Sequence, residues 1–260
     1  LAYRYVTFGT FHAVFFTILK HAYNLSAENI IREEERYSIV KAAVGKYELD
    51  IEDEREFVAN VLGEIARVKS ERILIQNYYS TNCPADVFRK IYDEYNAKLK
   101  SSRKLDFEDM LGYTYELLTQ RRDILAAWQG KYKYILIDEF QDINKIQYDT
   151  IRLLAAPENN LFIVGDDDQS IYGFRGSKPD IMLNFNKDYK NAAQVTLDIN
   201  YRSTPEIVKA AGDVIRFNNK RYKKNIMPCR EAGGAVVVRR TKDFIDEYNE
   251  VCERIKAVVN

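Results

Sequence analysis

Tyr134-Ile135-Leu136-Ile137-Asp138-Glu139-Phe140-Gln141-Asp142 and, one helix further on, Leu161-Phe162-Ile163-Val164-Gly165-Asp166-Asp167-Asp168-Gln169 decide the fold. Each is a short apolar run that stops abruptly in acidic residues. Runs of this length, bounded by turn chemistry, read as buried strands rather than helices. Residues 143–155 between them carry a helical period. A third apolar run, 193–197, leads into Asn200-Tyr201-Arg202-Ser203 and another helix. That helix is announced by Ser203 or Thr204 as cap, Pro205 in its first turn and Glu206 three residues after Ser203. A strand over 235–239 and a helix over 244–259 finish the pattern. Buried strands alternating with helices imply right-handed crossovers and a parallel sheet, so the later part of the chain is α/β.

Working toward the other end, Asp106 is placed to cap a helix through Met110, Leu111, Tyr115 and Leu118. Residues 30–46, 53–72 and 85–100 have helical period and many charges, with no strand-like alternation. They predict a small all-helical subdomain whose charges are solvated helix faces. At residues 10–23 the apolar Phe11, Val14, Phe15, Ile18 and Leu19 recur at three- and four-residue steps, predicting an amphipathic helix.

Composition narrows the classes. Of the 260 residues, 46% are hydrophobic and 30% charged, too much apolar material for a disordered chain. No apolar run approaches the roughly 18 residues a membrane helix needs, so no membrane association is expected. Lys+Arg and Asp+Glu are equal at 39 each, so no global field advertises a nucleic-acid partner, although a balanced sum can hide a basic groove. The stretch holding Arg216, Lys220, Arg221, Lys223 and Lys224 is either a phosphate contact or a solvated helix end. Three cysteines without C-x-x-C spacing support neither a disulfide framework nor a zinc knuckle and predict reduced thiols in a cytoplasmic protein. With two histidines, a multi-histidine metal site is excluded.

In open parallel sheets ligands bind at the carboxyl ends of the strands. Topology therefore brings Asp138-Glu139 and Asp166-Asp167-Asp168-Gln169 to one edge. Crowded carboxylates repel, and a divalent cation is an economical compensator; Mg²⁺ takes one or two carboxylates and fills its shell with waters and phosphate oxygens. The plainer reading is that the aspartates end strands and cap the helices that follow.

Taken in full, the strings resemble motifs of a known family. Asp138-Glu139-Phe140-Gln141-Asp142 after its strand, Gly165 to Gly176 with Gln169-Ser-Ile-Tyr172-Gly-Phe174-Arg175, and Asn200-Tyr201-Arg202-Ser203 are similar to motifs II, III and IV of the UvrD/Rep/PcrA-type superfamily 1 DNA helicases. Thr10-Phe11-His12 resembles that family's T-F-H motif, and Asp106-Phe107-Glu108-Asp109 its D-F-x-D segment. Order and approximate spacing agree across residues 6–219. The resemblance implies a RecA-like (P-loop NTPase type) parallel sheet with an inserted all-helical subdomain. Residues 1–24 and 105–190 would form an incomplete first RecA-like domain, 25–104 the helical insert, and 191–260 the start of a second RecA-like domain.

The resemblance also implies roles. Asp138 would hold the Mg²⁺ that accompanies ATP, and Glu139 would orient and deprotonate the attacking water. Gln141 and Asp142 would couple the nucleotide site to motif III, and Gln169 would contact the γ-phosphate region. Arg202 would reach the γ-phosphate from the second RecA-like domain, a task suited to a fixed bidentate charge, and Tyr201 would stack on adenine. Thr10, His12, Tyr172, Phe174 and Arg175 would hold single-stranded DNA by phosphate contacts and stacking. The family usually has Trp where this chain has Phe174, and a smaller ring stacks more weakly. The implied activity is an ATP-dependent helicase or translocase acting on single-stranded DNA and duplex junctions with 3′-to-5′ polarity, in a pathway such as DNA repair.

No G-x-x-x-x-G-K-[S/T] loop occurs among the 260 residues. In the family it precedes the T-F-H segment and would lie upstream of Leu1, while motifs V and VI would follow Asn260. The start at Leu1 rather than Met suggests a processed or truncated product. The expectation is that these residues alone hydrolyse ATP poorly or not at all. Two rivals stand beside this reading: a non-catalytic DNA- or protein-binding module derived from such a helicase, and a Mg²⁺-dependent nuclease built on the acidic cluster.

Overall fold

The computed structural model describes residues 6–173 and 176–259. The chain divides into two compact units, Leu1–Lys190 and Asn191–Asn260.

The first unit opens with α1 (Phe11–Tyr23), capped by the Thr10 hydroxyl, which accepts the Ala13 N–H at 3.3 Å. Its predicted stripe turns inward: Phe15, Ile18 and Leu19 are buried. Next come α2 (Glu33–Val44), α3 (Glu54–Ser70) and α4 (Ala85–Ser101), where the helical periods predict them. These three share a core of their own, built from residues such as Val40, Val58, Ile65, Phe88 and Ile91.

α5 (Phe107–Gln120) starts at Asp106, whose carboxylate accepts the Asp109 N–H at 2.7 Å. α6 (Arg122–Lys131) follows after Arg121 alone and buries Leu125 and Trp128; the sequence reading contains no helix there. A second core joins α1, α5, α6 and α7 (Lys145–Ala155) through Phe15, Leu111, Leu118, Trp128 and Ile146.

β1 (Ile135–Ile137) and β2 (Leu161–Ile163) pair in parallel with Ile137 opposite Ile163, and α7 forms the crossover. The predicted runs are strands, but they are not buried on both faces. Successive side chains of a strand point to opposite faces, and Ile137 is buried while Leu136 is 71% and Phe162 62% exposed. The short helices α8 (Pro179–Leu183) and α9 (Phe185–Asp188) close this unit.

Between the two cores lies a buried charge cluster. Lys69 of α3 sits 2.6 Å from the Asp106 carboxylate and 2.6 Å from that of Asp109. The Tyr95 hydroxyl of α4 donates to Asp106 at 3.1 Å and accepts from Arg36 Nε of α2 at 3.2 Å. Burial alone would discharge Lys69, but the two carboxylates hold it protonated above its ordinary range. Burial pushes Asp109 up to about 6, helped by the Asp106 charge and opposed by Lys69.

The second unit holds β3 (Ile199–Asn200), α10 (Pro205–Ile215), β4 (Met227–Pro228) and α11 (Phe244–Val259). β3 and β4 are parallel neighbours, with Ile199 opposite Met227. Two predicted strands are absent among the described residues. The apolar run 193–197 is irregular, with Val195 and Leu197 each 82% exposed, and the strand begins only at Ile199. Residues 235–239 are irregular too. Apolar alternation makes a strand only where a neighbour completes its hydrogen bonds. The helix at Pro205 starts as predicted, with Thr204 at the cap position, but neither candidate hydroxyl makes the capping bond. Glu206 closes no capping box either and instead accepts the Gly233 N–H at 3.0 Å.

Candidate functional site

Because β1 and β2 run parallel, their acidic ends emerge together. The ladder continues past both strands: the Val164 N–H donates to the Ile137 carbonyl at 2.8 Å, and the Phe140 N–H to the Val164 carbonyl at 2.9 Å. The chain leaves the sheet at Glu139, a non-glycine residue in the left-handed region with φ 51° and ψ 43°. Such a conformation costs about 1–2 kcal/mol and persists only where its surroundings enforce it. The Asp138 carboxylate is one support, accepting the Glu139 N–H at 3.0 Å. Asp138 and Glu139 are both exposed.

Gln141, buried in the turn that follows, links the two strand ends. Its Nε2 donates to Glu139 Oε2 at 2.8 Å, and its Oε1 accepts the Asp166 N–H at 3.0 Å. Gly165 leaves room for this carboxamide: a Cβ there would stand 2.6 Å from Gln141 Oε1 and 3.1 Å from the Phe140 nitrogen. The relay then continues through Asp166. Its carboxylate caps a short 3-10 turn by accepting the Asp168 N–H at 3.1 Å, and it also accepts Gln169 Nε2 at 2.8 Å. Glu139 and Gln169 are thus joined through Gln141 and Asp166 at one edge of the sheet.

Asp142 completes the group. Its Oδ1 is buried without a hydrogen-bond partner, and burial together with the Glu139 charge raises its pKa above the ordinary carboxylate range. Asp138 and Glu139 offer exposed carboxylates at this edge, a residue type that suits a Mg²⁺-type cation carrying phosphate oxygens, but among the described residues the acids whose oxygens come together are those of the neighbouring loop. Carboxylate oxygens of Asp166, Asp167 and Asp168 lie within 4.8 Å of one another, but the Asp166 group is already engaged by Asp168 and Gln169.

Other candidates lie elsewhere. Thr10 is exposed and spends its hydroxyl oxygen on the α1 cap. His12 is half-buried, its pKa lowered by burial, and its ring meets Phe107 edge-on at 5.2 Å between centroids. Phe107, the aromatic of D-F-x-D, is 47% exposed, and nothing in its sequence context points to a role. Tyr172 is partly exposed; Phe174 and Arg175 lie outside the described residues. Tyr201 and Arg202 belong to the second unit and are exposed. There the Asn200 side chain accepts the N–H groups of Arg202 at 3.0 Å and Ser203 at 2.8 Å, while Arg230 donates to the Arg202 carbonyl at 3.0 Å. Among the described residues, no helix is long and apolar enough to cross a membrane.

Comparison with known proteins gives a family for each unit. Residues 2–190 match the UvrD/REP helicase N-terminal domain, and residues 195–260 the UvrD-like helicase C-terminal domain. The chain is 40% identical over 261 residues to a putative ATP-dependent DNA helicase, YjcD, of Bacillus subtilis strain 168, covering 97% of this chain and 34% of that protein. It is 34% identical over 259 residues to the ATP-dependent DNA helicase PcrA of Leuconostoc citreum, covering 97% and 34%. With the ATP-dependent DNA helicase Rep of Buchnera aphidicola it shares 32% identity over 257 residues, covering 96% and 37%. The chain spans about a third of the length of these curated relatives.

Proposed function

The chain belongs to the UvrD/Rep helicase family, and on that premise we propose that it is the middle of an ATP-dependent DNA helicase that moves 3′-to-5′ on single-stranded DNA and opens duplex junctions. In this reading residues 1–24 and 105–190 belong to a first RecA-like domain, 25–104 to a helical insert, and 191–260 to a second RecA-like domain. The observation that carries it is the hydrogen-bond relay from Glu139 through Gln141 and Asp166 to Gln169. It ties a carboxylate suited to activate water to a carboxamide suited to report on phosphate.

Asp138 would face the Mg²⁺ of Mg²⁺-ATP, whose charge offsets that of the phosphates, with Asp142 coupling the site to motif III. Glu139, lifted out of the sheet by its left-handed backbone and held at one oxygen by Gln141, keeps its other oxygen to orient and deprotonate water. Gln169 meets the terminal phosphate as a neutral donor. By the family resemblance, Arg202 would supply charge to that phosphate and Tyr201 a ring for the base. His12, neutral near pH 7 because burial lowers its pKa, donates to backbone phosphate while Phe107 and Tyr172 offer ring faces to bases.

Without a phosphate-cradling loop in its 260 residues, the chain alone is expected to turn over ATP poorly or not at all. The test is ATP turnover by the full-length protein with and without single-stranded DNA. Stimulation by DNA that is lost in Glu139→Gln supports the assignment; turnover unaffected by Glu139→Gln refutes it.

A further inference from the structure

Asp166 has two jobs at the strand edge, and they face opposite ways. Its backbone N–H is held by Gln141, the residue that also holds Glu139, while its carboxylate holds the Gln169 carboxamide at 2.8 Å. We propose that Asp166 is a positioning residue that parks Gln169 on a carboxylate, so that phosphate recognition draws Gln169 away from it. The proposal deepens the ATP-site reading above and rests on it.

The argument is electrostatic. A glutamine can approach a phosphate only through its Nε2 hydrogens, since phosphate oxygens are acceptors. While Nε2 rests on Asp166, a phosphate brought to the same nitrogen would be brought beside a carboxylate, and like charges so close repel. Nε2 has two hydrogens, so each acceptor can take one only with a carboxylate and a phosphate gathered on the same nitrogen, and the repulsion between them favours Gln169 leaving Asp166. Gln169 is exposed and the bond to Asp166 has no burial to protect it, so it is of the strength that a ligand can displace. Backbone geometry keeps the parked state in register. Asp166 is fixed at its N–H by Gln141, in space that Gly165 leaves open, and its carboxylate is oriented by the Asp168 N–H at 3.1 Å. Gln141 and Asp166 can hold Glu139 in place while Gln169 moves.

The resting bond sets a threshold. Without DNA, Gln169 stays on Asp166 and turnover is slow; a rearrangement that draws Gln169 toward phosphate removes the restraint. Shortening the side chain at 166 lifts the threshold without touching Glu139 or Asp138.

Two substitutions separate parking from other roles. Asp166→Ser keeps an oxygen near the backbone to accept the Asp168 N–H but is too short to reach Gln169. Asp166→Asn keeps one acceptor oxygen for the Asp168 N–H and presents an Nδ2 donor toward Gln169 Nε2, so it too gives up the parking contact while keeping the size of the side chain. In the full-length protein, Asp166→Ser is expected to raise ATP turnover without DNA about fivefold, the scale of one lost hydrogen bond, and to leave the DNA-stimulated rate within about twofold. Asp166→Asn, which also loses the acceptor facing Gln169, should raise the DNA-free turnover in the same direction. Unchanged DNA-free turnover in Asp166→Ser overturns the proposal. So does an equal loss of turnover in both variants, which would mean that the carboxylate itself serves the metal or the phosphate.

A second readout needs no turnover. In the 260-residue chain labelled with ¹⁵N-glutamine, the Gln169 side-chain amide should resonate away from the solvent-exposed position and lose that offset in both Asp166→Ser and Asp166→Asn. A Gln169 signal indifferent to Asp166→Ser overturns the parking contact. If the full-length protein turns over no ATP at all, the ATP reading fails on that result, and this spectrum still decides the contact.

Discussion

Lys69 and its carboxylates are sealed between helices, whereas Asp138 and Glu139 stand in solvent at the end of β1. Both places gather acidic side chains at a helix or turn start, and both are tied by short hydrogen bonds. In the first, Asp106 and Asp109 share one ammonium and each other's N–H groups, so their charge is spent internally. In the second, a single neutral carboxamide reaches the Glu139 carboxylate, the backbone beneath it is left-handed, and an Asp142 oxygen has no partner. On the proposed reading, clustered acids serve the nucleotide where they stand open to solvent and their backbone is held in a costly conformation. Where the charge is compensated in place, they hold helices together.

Four changes put that contrast under strain, taken from the largest expected effect downward. Glu139→Gln in the full-length protein should lower DNA-stimulated ATP turnover about 10²–10⁴-fold, the usual contribution of a general base, with little change in thermal unfolding. Lys69→Met should do the reverse. Removing the cation from a buried pair of carboxylates should cost about 3–5 kcal/mol of stability, read by denaturant unfolding; a loss below about 1 kcal/mol would mean that the cluster is not sealed. Gly165→Ala should touch both properties. Its Cβ falls 2.6 Å from Gln141 Oε1 and 3.1 Å from the Phe140 nitrogen, so about 1–3 kcal/mol of stability and part of the turnover should go together. The smallest effect is a pH dependence. Asp109 binds its proton more tightly when folded, near pH 6, than an ordinary aspartate does. It therefore weakens the fold as pH rises from about 4 to about 6. The stability of the parent relative to Asp109→Asn should fall across that window and level off above it; a constant difference would contradict the raised pKa.

How much of this was readable beforehand varies by element for physical reasons. α1, α3, α4 and α5 show their periods, and Asp53, Thr10 and Asp106 mark helix starts by polar side chains that accept capping N–H groups. α6 hides because a single residue, Arg121, separates it from α5, with no cap or glycine to punctuate the join. Runs 193–197 and 235–239 misled because strand periodicity records which side chains could be buried together, and a ladder also needs a paired neighbour. At the site, acid-terminated parallel strands sufficed to bring Asp138, Glu139 and Gln169 to one edge. The left-handed turn at Glu139, the carboxamide bridge of Gln141 and the grip of Asp166 on Gln169 were not legible. A dihedral angle and a side-chain hydrogen bond have no repeat in a sequence. Phe107 is hidden in the sequence because its neighbours in D-F-x-D are the residues that cap α5, and its contact with His12 spans two helices.

The claim on which the rest depends is that the ends of β1 and β2 form one working site. A double-mutant cycle on DNA-stimulated ATP turnover by the full-length protein, combining Glu139→Gln with Gln169→Ala, tests it directly. If both residues act on the same phosphate, the double variant should be little worse than Glu139→Gln alone, because the second loss falls on a step already disabled. Losses that multiply fully would show two independent roles and contradict a shared site.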